Sequence, residues 1–202
     1  MTISAPRSLR DPIAIASRRA LLGQPHIADL RDYAACLRAE GAGTVPEFDP
    51  MDGGVRARLL FLMEKPGPMT DDTGAKGRIG SGFVSRDNDD PTAEAIFGFM
   101  RAAGIAREET VLWNVVPWWN DTREIKGAEL AMGLERLGRL LDLLPQLRAV
   151  IGVGRRAGRA KALIAGRGLS FHESAHPSPI NRAARLSVWA SIPDVWRQAA
   201  DG

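Results

Sequence analysis

Three short stretches of the chain carry residue types that could do chemistry together. Ala175-His176-Pro177-Ser178-Pro179 places an imidazole in a loop stiffened by two prolines, and a residue before proline is biased toward extended backbone. A histidine held this way can donate a hydrogen bond to developing negative charge. Met63-Glu64-Lys65-Pro66-Gly67-Pro68 puts a carboxylate where an apolar run opens into a rigid turn. The bare backbone of that turn can approach a phosphate or a ring oxygen closely. Trp113-Asn114-Val115-Val116-Pro117 ends another apolar run with a carboxamide, which offers both a donor and an acceptor. An acid, an amide and an imidazole on three loops are the parts of a site that could grip a flat polar ring. Glu64 by itself reads equally as a partner for a nearby Arg or Lys, or as a carboxylate that orients water.

The elements that must carry these loops follow from apolar spacing and from turn residues. Residues 1–10 read as a loose arm. Helices are expected near 11–22 and 26–41, then a Gly/Pro-containing stretch over 41–54. Arg58–Met63 is a short continuous apolar run, as a strand buried on both faces requires. Residues 67–82, rich in Gly, Asp and Thr, are expected to be a mobile loop. Asp90-Pro91-Thr92 opens a helix that runs to Gly104, with Asp as cap and Pro preorganised for the first turn. Strands are then expected at 110–116, 148–154 and 168–172, with helices at 126–144, 155–165 and 183–200, the last interrupted near Pro193. Strands separated by helices predict an α/β fold: three layers, α/β/α, around a central four-stranded parallel sheet. Ligands of such sheets bind at the carboxyl ends of the strands, where the loops of Glu64, Asn114 and His176 all begin.

With 202 residues, 45% hydrophobic and 25% charged, the chain has the composition of a single globular domain rather than of a disordered one. No apolar run is long enough to cross a bilayer and no signal-peptide core is evident, so a cytoplasmic, nucleoid-associated location is expected, with no membrane partner. The one cysteine, Cys36, excludes an internal disulfide and a cysteine-ligated iron–sulfur cluster, and is expected on the buried face of an early helix. Charge is uneven: residues 151–202 hold eight Arg/Lys against three Asp/Glu, while the preceding 150 hold nineteen against twenty-one. A basic C-terminal quarter suits a polyanionic partner, or is simply a solvated helix face. Ile151-Gly152-Val153-Gly154 lacks the remaining glycine spacing of a dinucleotide fingerprint, so its glycines are assigned to a tight strand-to-helix turn. His172 and His26 read as structural residues.

In order and spacing these motifs resemble the uracil-DNA glycosylase superfamily over about residues 58–190. Met63-Glu64-Lys65-Pro66-Gly67 is similar to the Glu-x-Pro-Gly form of the family's first motif, and His176-Pro177-Ser178-Pro179 to its second. Asn114-Val115-Val116 resembles the strand end that recognises uracil, and Ile151–Gly154 the glycine turn before the histidine loop. The segment GSGFVSRDNDDPTA (80–93) looks most like a bacterial branch without the iron–sulfur cluster. The resemblance implies a single glycosylase-like domain over 1–202, with 1–54 as an N-terminal helical extension. It implies a monofunctional DNA repair enzyme that flips uracil from DNA, hydrolyses the N-glycosidic bond and releases free uracil, leaving an abasic site. No cofactor or metal is needed, and the chain is expected to act as a monomer. His176 would stabilise the departing base, while Phe83 would stack on uracil and Asn114, Pro66 and Gly67 would hold it. Pro68, Ser178, Pro179, Arg182 and Arg185 would contact DNA. Trp118 and Trp119 are expected as wall or lid residues.

The chain also departs from the family pattern. Met63 stands where the motif begins with glycine, and Lys65 where the most studied branch has its catalytic aspartate; a charged ammonium cannot serve as that base. The water-activating carboxylate is then Glu64 or one of Asp87, Asp89 and Asp90, with Asp87 placed beside Glu64 and Asp90 assigned to the helix cap. Two other readings stay open: a protein of the same fold that holds uracil or an abasic site without cleaving, and a hydrolase or transferase of free nucleosides.

Overall fold

The computed structural model describes residues 4–74 and 79–202. Its centre is a four-stranded, wholly parallel sheet flanked by helices. The chain runs through α1 (Pro12–Arg19), α2 (Pro25–Ala39), β1 (Glu47–Phe48), β2 (Leu59–Met63), β3 (Phe83–Val84) and α3 (Pro91–Ala103). It continues through β4 (Thr110–Asn114), α4 (Gly127–Asp142), β5 (Ala149–Val153), α5 (Lys161–Ala165), β6 (Ser170–Ser174), α6 (Pro179–Ala184) and α7 (Leu186–Asp201). Sheet order is β4-β2-β5-β6, and β1 pairs with β3 as a separate two-residue parallel ribbon.

Parallel pairing places the carboxyl ends of all four strands on one edge. Met63 aligns with Asn114, and Val153 with Ser174. Alternation along the strands then sorts side chains between the two faces. Phe61 of β2 meets Trp196 of α7 edge-on at 4.8 Å. Trp113 of β4 points to the other face, stacked on Phe48 at 3.6 Å and tilted against Tyr33 of α2. The Tyr33 hydroxyl donates to the Arg136 carbonyl of α4, joining two helices of that layer. Burial on both faces explains why β2, β4 and β5 read as continuous apolar runs, while the edge strand β6 does not.

The expected elements are present with shifted ends and several corrections. The break between the last helices falls at Arg185 (φ −145°, ψ 62°), and α7 runs through Pro193 without interruption. The buried stripe of Ile192, Trp196 and Ala199 outweighs the one backbone bond that proline removes. β6 begins two residues later than expected, so His172 lies within it. The 155–165 helix is a 3₁₀ turn at Ala157–Ala160 followed by the short α5. Cys36 is exposed, because the buried stripe of α2 is Ile27, Leu30, Tyr33, Ala34 and Leu37. Residues 4–10 are no loose arm: Leu9 is buried, its N–H donates to the Asp87 carbonyl, and Arg7 pairs with Asp89 and Glu94. Of the expected mobile loop, residues 75–78 lie outside the described residues. Its remainder includes a 3₁₀ turn at Pro68–Thr70.

A buried ionic cluster ties the segment after β3 to the rest of the molecule. Arg18 of α1 pairs with Asp49 and with Asp87, and all three side chains are fully buried. Arg107, just before β4, donates to Asp49 at 2.5 Å and to Asp87 at 2.8 Å, and its Nε lies 2.9 Å from Asp52. The Ser85 hydroxyl donates to Asp49, and Arg86 donates to Thr110. Burial opposes ionisation of Asp49, but Arg107 and Arg18 outweigh it and hold the carboxyl below its usual range. Asp52 is the weak member: burial dominates, its oxygens lack aligned donors, and its pKa is pushed up to about 7.

This contrast sets a stability prediction. Asp49→Asn leaves Arg18 and Arg107 short of a buried counter-charge and should cost about 3–5 kcal/mol. Asp52→Asn should cost far less at pH 7. Chemical denaturation of both variants at that pH measures the difference, and equal losses would contradict the assignment.

Candidate active site

A cavity of about 450 Å³ opens at the carboxyl edge of the sheet. Its wall includes Met63 and the Pro66–Thr70 turn from the β2 loop, and Leu112 and Asn114 from β4. Val84, Ser85, Asn88 and Asp90 come from the segment after β3, and Ile96 from α3. His176, Ser178, Pro179 and Ile180 close it from the β6 loop, and Arg123 reaches in from the loop after β4. The size and the mixture of apolar wall with a few polar groups suit a small planar ligand.

Each polar group is held by local structure. The His176 loop is fixed by its own carbonyl, which accepts from Ser178 N–H and from the Asn181 carboxamide, both at 2.8 Å. Ser178 caps α6 through Asn181 N–H, and Pro179 occupies the first helical position. Upstream, Ser174 accepts from Trp196 Nε1 at 2.8 Å, which pins the strand end to α7. The imidazole itself keeps no hydrogen-bond partner among the described residues. Its pKa is lowered, first by burial and also by the Arg123 charge, against the opposing pull of Glu64 and Asp90. It is therefore a neutral imidazole at neutral pH.

Asn114 ends β4 and is buried, with its carboxamide unpartnered among the described residues. The backbone around it is locked, since Val115 N–H donates to the Met63 carbonyl and Val116 N–H to that of Glu64. Asp90 caps α3: one oxygen, Oδ1, accepts from the N–H groups of Thr92 and Ala93, each at 2.9 Å. The other, Oδ2, is left without a hydrogen bond among the described residues. Burial raises the Asp90 pKa against those two N–H donors and the Arg123 and Arg7 charges.

The other residues singled out by motif take different places. Glu64 does not line the cavity. Its carboxylate reaches over the end of β5, accepts Arg156 N–H at 2.8 Å and presses on Gly154, where a Cβ would come within 2.7 Å of Oε1. Gly154 (φ +98°) is thus required by the Glu64 contact as well as by the turn. Asp87 is sealed inside the ionic cluster, away from the cavity. Phe83 points away from the cavity, packed with Leu9 and Ala14 beneath the Arg19 guanidinium; alternation on β3 turns Val84 to the cavity instead. No Phe, Tyr or Trp lines the cavity among the described residues. Trp118 and Trp119 are buried structural residues rather than wall or lid. Pro66, Gly67, Pro68, Ser178 and Pro179 do line the cavity, whereas Arg182 and Arg185 lie beyond it, with Arg182 over the Trp189 ring at 5.9 Å.

The cavity also uses residues that motif reading did not single out. Arg123 has no motif around it. Ile180 is 78% exposed at the rim, and an exposed apolar residue directly after a stiff loop is the one signal that could have revealed it. Asn181, which holds the histidine loop, is separated from His176 by five residues and is recognisable only by its bond.

The model of the uracil DNA glycosylase superfamily matches residues 50–199. Among solved structures, the chain is similar to the solution NMR structure of "a putative Uracil DNA glycosylase from Methanosarcina acetivorans", at 18% identity and a TM-score of 0.42. That similarity covers 72% of this chain and 94% of the other. No curated protein sequence matches. A family match spanning three quarters of the chain, on a parallel sheet whose strand ends carry the Asn114 and His176 loops, places this protein in the uracil DNA glycosylase superfamily.

Proposed function

We propose that the protein excises uracil from DNA by hydrolysing the N-glycosidic bond, leaving an abasic site. The observation that carries this reading is the meeting, in one cavity, of an unpartnered amide, a neutral imidazole and a carboxylate with a free oxygen: Asn114, His176 and Asp90. A uracil flipped from the stack would enter between aliphatic walls supplied by Val84, Ile96 and Leu112, rather than stack on an aromatic ring. The Asn114 carboxamide offers a donor and an acceptor to the base edge, a pairing that cytosine would mismatch. Extrusion costs a few kcal/mol, offset by pairing in the pocket and by Ile180 acting as an apolar wedge in the duplex.

As the bond to the sugar breaks, negative charge grows on the base and positive charge on the sugar. Neutral His176 donates a hydrogen bond to the base. Asp90 takes the water-positioning role, because Asp87 is sealed in ion pairs and Glu64 is committed to the turn after β5. Glu64 contributes its charge to His176 from behind. Arg182 and Arg185, with Pro68, Ser178 and Pro179 at the rim, would face DNA phosphates. The position of Lys65 supports a second reading, a protein that binds uracil or an abasic site without cleaving.

A uracil-containing oligonucleotide, incubated with protein and chelator and then treated with alkali, separates these readings. Strand cleavage supports the glycosylase, retention without cleavage supports the binder, and inertness with turnover of free nucleosides sinks both. His176→Ala should slow single-turnover excision by roughly 100-fold or more with little change in DNA affinity. Asp90→Asn should slow it by roughly 100- to 10,000-fold while the fold survives, since Asn caps a helix as well as Asp does. If Asp90→Asn keeps full rate and Glu64→Gln does not, the water-positioning role belongs to Glu64.

The depressed pKa of His176 adds a pH dependence of stability. The unfolded chain binds the proton first, so this residue leaves stability unaffected above about pH 6.5 and lowers it as pH falls through the folded pKa. Asp52, with its raised pKa, acts in the opposite direction. The difference between wild type and His176→Gln in thermal denaturation over pH 5–8 therefore isolates the histidine. A relative gain for the variant at low pH is expected; its absence would refute the neutral-imidazole assignment.

A further inference from the structure

Lys65 occupies a position where an acid was expected, and its bonds show what it does instead. Its side chain is 3% exposed, and Nζ donates to Asn120 Oδ1 at 2.6 Å, to the Glu124 carbonyl at 3.0 Å and to Glu129 Oε1 at 2.7 Å. Glu129, in the first turn of α4, also accepts from Trp118 Nε1 and from Asn120 Nδ2. One buried ammonium thus clamps the loop on both sides of Arg123, at positions 120 and 124. Thr122 tightens the same loop by accepting Glu124 N–H.

Arg123 is what the clamped loop presents. Its guanidinium lies over the bare backbone of Gly67, where a Cβ would sit 3.7 Å from Nη2 and 3.9 Å from Nη1. It lines the cavity, is exposed, and makes no hydrogen bond or ion pair among the described residues. Lys65 spends its charge on Glu129, and His176 is neutral. Arg123 is therefore the one uncompensated cation that lines the cavity among the described residues, close enough for its charge to act on both His176 and Asp90.

We propose that Arg123 stabilises the negative charge of the departing base, and that Lys65 is a positioning residue that holds it there. This rests on the reading of the protein as a glycosylase. A neutral imidazole can donate a hydrogen bond but supplies no net charge, and a cation beside it completes the electrostatic stabilisation. As the C–N bond breaks, its electron pair goes to the base, and water adds to the sugar while passing its proton to Asp90. Arg123 transfers no proton.

The test varies the leaving group. Arg123→Gln should lower single-turnover excision of uracil by roughly 10- to 100-fold, less than the loss of an enclosed oxyanion donor because the side chain is exposed. Excision of 5-fluorouracil, whose anion is more stable, should fall markedly less, and Kd for DNA bearing a non-cleavable 2′-fluoro-deoxyuridine should change little. Arg123→Lys should recover part of the rate. Lys65→Met should repeat the pattern, and adding it to Arg123→Gln should cost little more, since one pathway is removed twice. Equal losses for both bases, a loss confined to DNA affinity (a phosphate contact), or an unchanged rate would each overturn the proposal. If the wild-type protein cleaves no uracil from DNA, the glycosylase reading fails, and binding of free bases still decides this one. The more acidic 5-fluorouracil should then bind wild type more tightly than uracil does, a preference lost in Arg123→Gln. No preference in wild type would refute the role of Arg123.

Discussion

The buried cluster of Arg18, Asp49, Asp87 and Arg107 is the interaction on which the cavity depends. Four parts of the chain distant in sequence meet there: the first helix, the turn after β1, and the two segments that flank α3. Buried charges of this kind contribute little net stability against an apolar alternative, but removing one partner is costly. Their consequence is positional. Ser85 and Asp87 are bonded into the cluster, so the backbone between β3 and α3 has one path, and that path delivers Val84, Asn88 and Asp90 to the cavity wall.

The same path explains why Asp87 and Asp90, three residues apart, have different fates. Asp87 turns inward and has its charge matched by two guanidinium groups. Asp90 emerges at the start of α3 and spends one oxygen on the helix cap, keeping the other at the cavity. Capping a helix and lining a cavity are therefore not exclusive, since a carboxylate has two oxygens and a helix N-terminus can be satisfied by one of them. Glu64 shows the reverse economy. Placed in the motif position, it is drawn across the end of β5 by a backbone N–H and serves the turn.

Lys65 and Glu129 form the second organising pair. Lys65 stands where the family resemblance implied an acid, and the loop after β4 is fastened to its ammonium. The ammonium takes three acceptors from 120–129, and the loop it holds carries Arg123 over Gly67. The cavity thus sets the Asp90 carboxyl and the uncompensated Arg123 cation beside the Asn114 amide and the neutral His176 imidazole, in a wall that also includes Ser85, Asn88 and Ser178 among its aliphatic residues.

Much of the fold was legible in the sequence. Continuous apolar runs identified β2, β4 and β5, because strands buried on both faces leave no room for polar alternation. Helix starts at Pro91 and caps such as Asp90 followed from local backbone chemistry, and parallel pairing then put the loops of Asn114 and His176 on one edge. What the sequence could not determine was direction. Whether Phe83 or Val84 faces the cavity depends on the pleat of a two-residue ribbon, and Asp87 is withdrawn by an arginine 69 residues away. Arg123 has no local signature at all; its place is set by a lysine 58 positions earlier, which bonds to both sides of its loop. Local rules determined the elements and which loops share an edge. Only the tertiary structure, through long-range ion pairs and the face each side chain takes, decided which polar groups reach the cavity.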